Sequence, residues 1–192
     1  LSIKKTTSPF NINQKKTIKT ITMRTIIMVV FFIPFFAAAQ KGDLFIRLTD
    51  ATGKQINGDA TAKGFERWMQ GYTTSAGGKN NTQVNFTMNI IGASADLKKA
   101  MANGELLVNG QVTLLQPATS AAPRPAYIIK MEKIRVLSCS ETVGCNNAMT
   151  TAVTLQATRI GWIYYQTDRT GALVISNKYG YDAETGGQWT NF

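Results

Sequence analysis

Cys139 and Cys145 are the only cysteines of the chain, and they flank Ser140–Gly144 between two β-prone segments. Two sulfurs this close can bind a metal, cycle as a redox pair or close a disulfide. The chain has no histidine, and a zinc site wants four ligands with imidazole the usual nitrogen donor, so the metal reading fails on donor supply. The spacing is not C-x-x-C, which weakens the redox reading. A staple across a surface loop in an oxidising compartment is the expectation that remains. Lack of histidine also removes the commonest general base at neutral pH and every Ser-His-Asp or Cys-His arrangement. No G-x-S-x-G elbow, phosphate-cradling glycine loop or dinucleotide fingerprint is present. Carboxylate-pair hydrolysis stays open in principle. Asp50, Asp59, Asp168, Asp182 and Glu184, however, all fall in expected turns, where acids serve the backbone. The chain reads as no enzyme and as needing no cofactor. Trp162, Tyr164 and Tyr165 would suit a stacking platform, but alternating aromatics in a strand more often fill a core or a subunit contact. Asn80-Asn81-Thr82 matches a glycosylation sequon that short chance also produces.

Those residues must be carried by something, and the chain is not uniform. Residues 1–22 are polar and lysine-rich without a hydrophobic period. Met23-Arg24 then leads into the apolar run Ile26–Phe36, followed by Ala37-Ala38-Ala39 and Gln40. A charged start, a short apolar run and an A-x-A site make a secretory leader, expected to be cleaved between Ala39 and Gln40. The run falls short of the roughly 20 apolar residues a spanning helix takes. Translation is expected to start at Met23, with residues 1–22 an over-extension or a basic extension. Six of the 21 basic residues lie in 1–39 and none of the 11 acids does, leaving a mature net charge of +4 in place of +10. Nucleic-acid binding loses most of its electrostatic support. The mature chain is exported, to the periplasm or beyond, with no membrane role after cleavage.

Residues 40–192 are enough for one domain with a real core. Leu44, Ile46 and Leu48 alternate with polar or outward residues as a first strand, and Gly53 and Asn57-Gly58 carry turn chemistry. Phe65–Thr74 is aromatic and β-prone, with Gly71 suggesting a bulge. Val84, Phe86, Met88 and Ile90 alternate cleanly. Ser94 reads as the N-cap of one short helix, with Leu97 and Met101 on its apolar face and Asn103-Gly104 as its stop. Leu106, Val108, Val112 and Leu114 follow, with Gly110 facing inward. Gln116–Pro125 is a Pro/Ala/Ser loop. The apolar parity then flips near Lys133, and again between Leu155 and Ile160, which points to bulges or to strands passing around a barrel. Leu173, Ile175, Tyr179 and Tyr181 complete a mainly β chain.

The order of these pieces resembles the haemolysin-coregulated protein (Hcp) family, the tube subunits of type VI secretion. Gly42–Leu48 looks like that family's opening strand and Lys63–Met69 like its charged-to-apolar second strand. Ala93–Gly104 is similar to its lone helix, and Ala157–Gln166 with Thr185–Trp189 to its closing aromatic hairpin. The resemblance implies a small β-barrel of two antiparallel sheets with one short flanking helix. It implies homohexameric rings that stack into a tube, carry effectors and meet a spike protein. The family's subunits normally leave without a cleaved leader, whereas this chain has one, so a secreted relative that forms rings outside the cytoplasm is the form expected. Phe65, Trp68 and Tyr72 are the expected subunit contacts, since aromatics are enriched at buried interface positions. The rival reading is an exported monomeric barrel that acts as a binding module or adhesin.

Overall fold

The computed structural model describes residues 43–77, 82–117, 124–144 and 149–192. The chain divides after Ala39, and all described residues belong to the unit Gln40–Phe192. The expected extension 1–22, the leader 23–39 and the Ala39–Gln40 cleavage point lie outside the described residues. The elements in chain order are β1 (Leu44–Leu48), β2 (Met69–Ala76), β3 (Gln83–Asn89), α1 (Gly92–Asn103) and β4 (Leu106–Leu115). They are followed by β5 (Pro125–Val143), β6 (Met149–Thr167), β7 (Leu173–Asp182) and β8 (Gly187–Gln188).

The eight strands among the described residues form one antiparallel sheet in the order β3-β2-β1-β4-β5-β6-β7-β8, and β3 also pairs with β6. That extra pairing closes the first six strands into a barrel, which abolishes most of the sheet's edges. Register sets the interior. Ile46, Val112, Ile129 and Trp162 stand side by side across β1, β4, β5 and β6, and Leu48, Gly110, Met131 and Ile160 form the next inward row. Val84, Phe86 and Met88 of β3 face the same core, as the alternation in the sequence requires. Gly110 is inward because there is no room for more: an added Cβ would sit 2.6 Å from Ile134 Cδ1.

The parity flips have one structural cause. Glu132 pairs with Arg159 and Ile134 with Ala157, so Lys133 and Thr158 stand opposite each other between them. Lys133 takes a left-handed backbone (φ 50°), and Thr158 Oγ1 donates to its carbonyl at 3.2 Å. Both strands therefore change face at one level, and each keeps apolar side chains toward the core above and below it. This level is also the fork. β6 pairs with β3 only up to Gln156 and with β7 only from Arg159 onward. A second slip, at Leu137, returns Cys139 to the interior.

Two local expectations are corrected. The helix is capped at Ile91, three residues before Ser94: Ser94 is its third residue, and its Oγ accepts from Ile91 N at 3.3 Å and meets Thr151 Oγ1 at 3.0 Å. A buried serine that bonds across to β6 is more useful inside the first turn than as the cap itself. The buried face is Ala93, Leu97 and Ala100, while Met101 is exposed, because the helix rolls its small residues onto the barrel for close approach. Gly104 (φ 62°) ends the helix as expected, with Glu105 N donating to Ala100 O at 2.9 Å. The second correction is that Phe65–Trp68 is turn and not strand; β2 begins at Met69, with the bulge between Gly71 and Thr73 where Gly71 suggested it.

Candidate functional site

Beyond the fork, β6 stays paired with β5 as far as Tyr164 and takes β7 on its other side, so β7 extends the sheet past the barrel as an edge strand, and this β6–β7 margin is a flap. Trp162 pairs with Tyr179, their rings stacked 5.7 Å apart, and Tyr164 packs on Tyr127 at 4.8 Å. These side chains continue the rows that line the barrel interior, yet Tyr164 is 45% and Tyr179 41% exposed. A core-type face has run out of barrel to bury it. Ile175, at 54% exposure, adds a further apolar side chain on the same strand. The backbone of β7 from Leu173 to Tyr179 pairs with β6 alone among the described residues, because β8 reaches only Tyr181 and Asp182. An unpaired strand edge beside exposed aromatics is a template for another chain.

A second open edge lies on β2. β1 pairs with it only at Met69–Gly71, so Thr73–Ala76 pair with β3 alone among the described residues. Thr74 Oγ1 there is buried without a hydrogen-bond partner among the described residues, a state native proteins rarely tolerate.

Charged groups brace the flap at the fork. Glu132, Arg159 and Asp182 form one cross-strand row; Arg159 Nε reaches Asp182 Oδ2 at 2.9 Å and Nη1 reaches Glu132 Oε2 at 3.2 Å. Lys133 Nζ meets Glu184 Oε2 at 2.7 Å beside them. Burial works against the Asp182 carboxylate, but Arg159 and the N–H groups of Glu184 and Thr185 outweigh it and hold it below the ordinary value of 3.8. Asp50 and Asp168 are also held low, chiefly by the Thr52 and Thr170 hydroxyls and by turn N–H groups. Each of these acids is more acidic folded than unfolded, so its contribution is complete above 3.8 and is lost as pH falls through and below that value. Thermal melts should therefore be flat above roughly pH 5 and fall toward pH 2. Asp182→Asn should flatten that acid limb; a melting temperature that rises on acidification would contradict the assignment.

Asp50 and Asp168 thus sit in turns, as their positions in the sequence suggested, whereas Asp182 is the last residue of β7 and pairs with Arg159. Among the described residues no three His, Cys, Asp or Glu side chains gather as a metal site. No described helix is long and apolar enough to cross a membrane. Cys139 is a free, buried thiol on β5 whose Sγ lies 3.8 Å from Ser94 O, and burial, ahead of any nearby charge, pushes its pKa up. Cys145 lies outside the described residues, so the expected Cys139–Cys145 link is not part of the described structure.

The three aromatics expected at a subunit contact separate. Phe65 stacks on Phe45 at 4.4 Å and meets Trp68 edge-on at 5.1 Å, and Phe45, Ala60, Trp68 and Leu115 form a satellite core on the outside of β1. Arg47 lies over the Trp68 ring at 5.0 Å. Trp68, 8% exposed, is buried against residues of its own chain. Only Tyr72 faces outward, its hydroxyl donating to Asn89 Oδ1. The flap edge was missed at the sequence level because Leu173–Tyr179 looks like any strand; only pairing shows which strand is left at the rim.

The comparisons agree with this architecture. The model of the family described as type VI secretion system effector, Hcp, matches residues 45–164. No curated protein matches the chain. Among solved structures it is similar to Hcp1 from Salmonella typhimurium, at 16% identity and TM-score 0.64, covering 78% of this chain and 99% of that one. A type six secretion system protein is similar at 17% identity and TM-score 0.64, over 77% of this chain and 99% of its own. A mutant Hcp1 from E. coli EAEC 042 gives 16% and 0.59, over 73% and 97%. These identities speak for the fold alone. The family match, by contrast, spans more than half of the chain, from β1 into the flap, and by it the chain belongs to the Hcp family of type VI secretion system effectors.

Proposed function

We propose that the mature chain is a ring-forming subunit whose copies join flap to barrel, the β7 edge of one copy pairing with the β2 edge of the next. The observation that carries this reading is the flap itself: core-type aromatics left uncovered beside an open strand edge. Pairing two different edges is a head-to-tail contact, which closes into a ring when the rotation between copies allows. The Hcp relationship supports six copies per ring, stacking of rings into a tube, and passage of effectors with a spike protein as the further partner. The leader-like segment before Gln40 favours export of the subunit, with N-terminal sequencing of the exported protein expected to begin at Gln40. In the oxidising space that export implies, the Cys139–Cys145 disulfide belongs to the same reading. Non-reduced peptide mapping should find the link, and two alkylatable thiols in native exported protein would remove it.

The monomeric binding-module alternative draws less support. Three surface clefts among the described residues measure about 180, 200 and 340 Å³, the first two below and the third near the small end of ordinary ligand pockets, roughly 300–1,000 Å³. Mass measurement and electron microscopy of the exported protein test the choice directly. Rings of about six copies are the expected result. A folded protein that stays monomeric at high concentration overturns the ring reading.

A further inference from the structure

The last segment of the chain makes a set of contacts that neither strand pairing nor the family relationship requires. After β8, Trp189 N donates to Gly180 O at 3.0 Å, and the Trp189 ring, 8% exposed, lies 4.6 Å from the Phe192 ring. Phe192 is seated on two glycines. Gly161 of β6 and Gly180 of β7 are cross-strand partners, so both present their bare Cα atoms on the same outward side of the sheet. An added Cβ on Gly161 would fall 2.5 Å from the Phe192 ring, and one on Gly180 would clash with Trp189 O and the same ring. A glycine in a strand weakens it unless something approaches closely; here two stand side by side, and one ring fills the space above both. Lys178 of β7 closes the seat. Its Nζ lies over the Phe192 ring at 4.2 Å and donates to Thr190 O at 3.2 Å and Phe192 O at 2.8 Å.

We infer that Gly187–Phe192 is a strap that clamps β7 against the outside of β6, with the Gly161–Gly180 pair as its aromatic seat. β7 needs such a clamp. It is an edge strand, with β6 on one side and no strand on the other from Leu173 to Tyr179 among the described residues, and past Tyr164 β6 has no β5 beside it, which leaves the tip a two-stranded ribbon that is marginal by itself. The strap supplies on the outer face the packing that the missing barrel does not supply on the inner one. Seat and strap lock the flap into the straight, paired form that an edge must have to receive another strand. That last consequence rests on the proposed β7 assembly contact; the clamp itself does not.

Hydrogen exchange on the exported protein tests both parts. Phe192→Ala empties the seat, and Gly161→Ala fills it from below. Each change should raise amide exchange across Leu173–Asp182 by about tenfold or more, as a local opening would, with β1–β4 unchanged. The double variant should exchange no faster than Phe192→Ala alone, because the added methyl then meets no ring. Should Gly161→Ala fold poorly, Lys178→Met, which removes the cation and keeps the stem, should give the same β7-confined effect. Unchanged β7 exchange in Phe192→Ala, or an equal effect of Gly161→Ala with and without the Phe192 ring, overturns the clamp. Mass measured on the same samples reads the second part. Rings that persist while β7 exchange rises overturn the strap's control of assembly, and a wild type that never forms rings overturns the assembly reading while leaving the clamp to its own test.

Discussion

Trp68→Ala should lower the melting temperature by roughly 10 °C, the equivalent of about 3 kcal/mol, a large share of a typical domain's ~5–15 kcal/mol. The magnitude follows from what the indole holds. It is 8% exposed, packs with Phe45, Ala60 and Leu115, takes the edge of Phe65 and lies under Arg47. Large-to-small changes at buried aromatics cost about 3–5 kcal/mol, and loss of an aromatic pair adds on the order of 1 kcal/mol. The lower end of the range is appropriate because the cluster lies outside the barrel, where loop 50–67 can settle partway into the space. That settling should be visible as loosening around Ala60–Phe65, since Ala60 N donates to Trp68 O and Trp68 N to Phe65 O. Circular dichroism melts and mass measured together separate this outcome from its rival. A variant that melts like wild type yet loses assembly would place Trp68 at a subunit contact.

Much of the barrel could be read from the residues, because closed antiparallel sheets write their inner face as a period of two. Val84, Phe86 and Met88 alternate and are buried; Leu44, Ile46 and Leu48 do the same. Even the irregularities were legible: the parity change near Lys133 is the level where β6 trades β3 for β7. What composition could not supply was which apolar residues end up without cover. Tyr164 has the same parity as Trp162, yet Trp162 is 7% exposed and Tyr164 45%: Trp162 stands between Ile129 and Tyr179, whereas Tyr164 is the last residue of β6 that β5 still pairs. The aromatic run around Phe65 carried the opposite ambiguity. Its residues look like interface material, but the loop folds them back onto Phe45. Burial against the same chain and burial against another use the same side chains, so periodicity alone cannot tell them apart. The strap was invisible for a related reason: Gly161 and Gly180 are 19 residues apart in the sequence and become one seat only through their register.

The double variant Tyr164→Lys/Ile175→Lys should abolish ring formation while leaving the subunit folded. Both side chains are near half exposed in the single copy, at 45% and 54%, so replacing them costs the monomer little, within about 1 kcal/mol. Tyr127 loses its ring partner at 4.8 Å, which sets most of that cost. At a subunit contact the same positions would be covered, and a lysine there must shed its water without a waiting partner. Hot-spot truncations cost about 2 kcal/mol or more, and an unpaired buried charge costs several. A ring needs every one of its contacts, so a loss of this size at each of them compounds around the circle. Lysine on an exposed strand is also the device by which natural edges refuse partners. The control is Ala102→Lys on the exposed side of α1, which adds charge away from the flap and should leave the rings intact. Expected, then, is a particle of single-copy mass that melts within a few degrees of wild type and keeps a strand-rich spectrum. Rings that survive both lysines would show that the contact does not run through the flap. Rings lost equally in Ala102→Lys would show that net charge alone dissolves them.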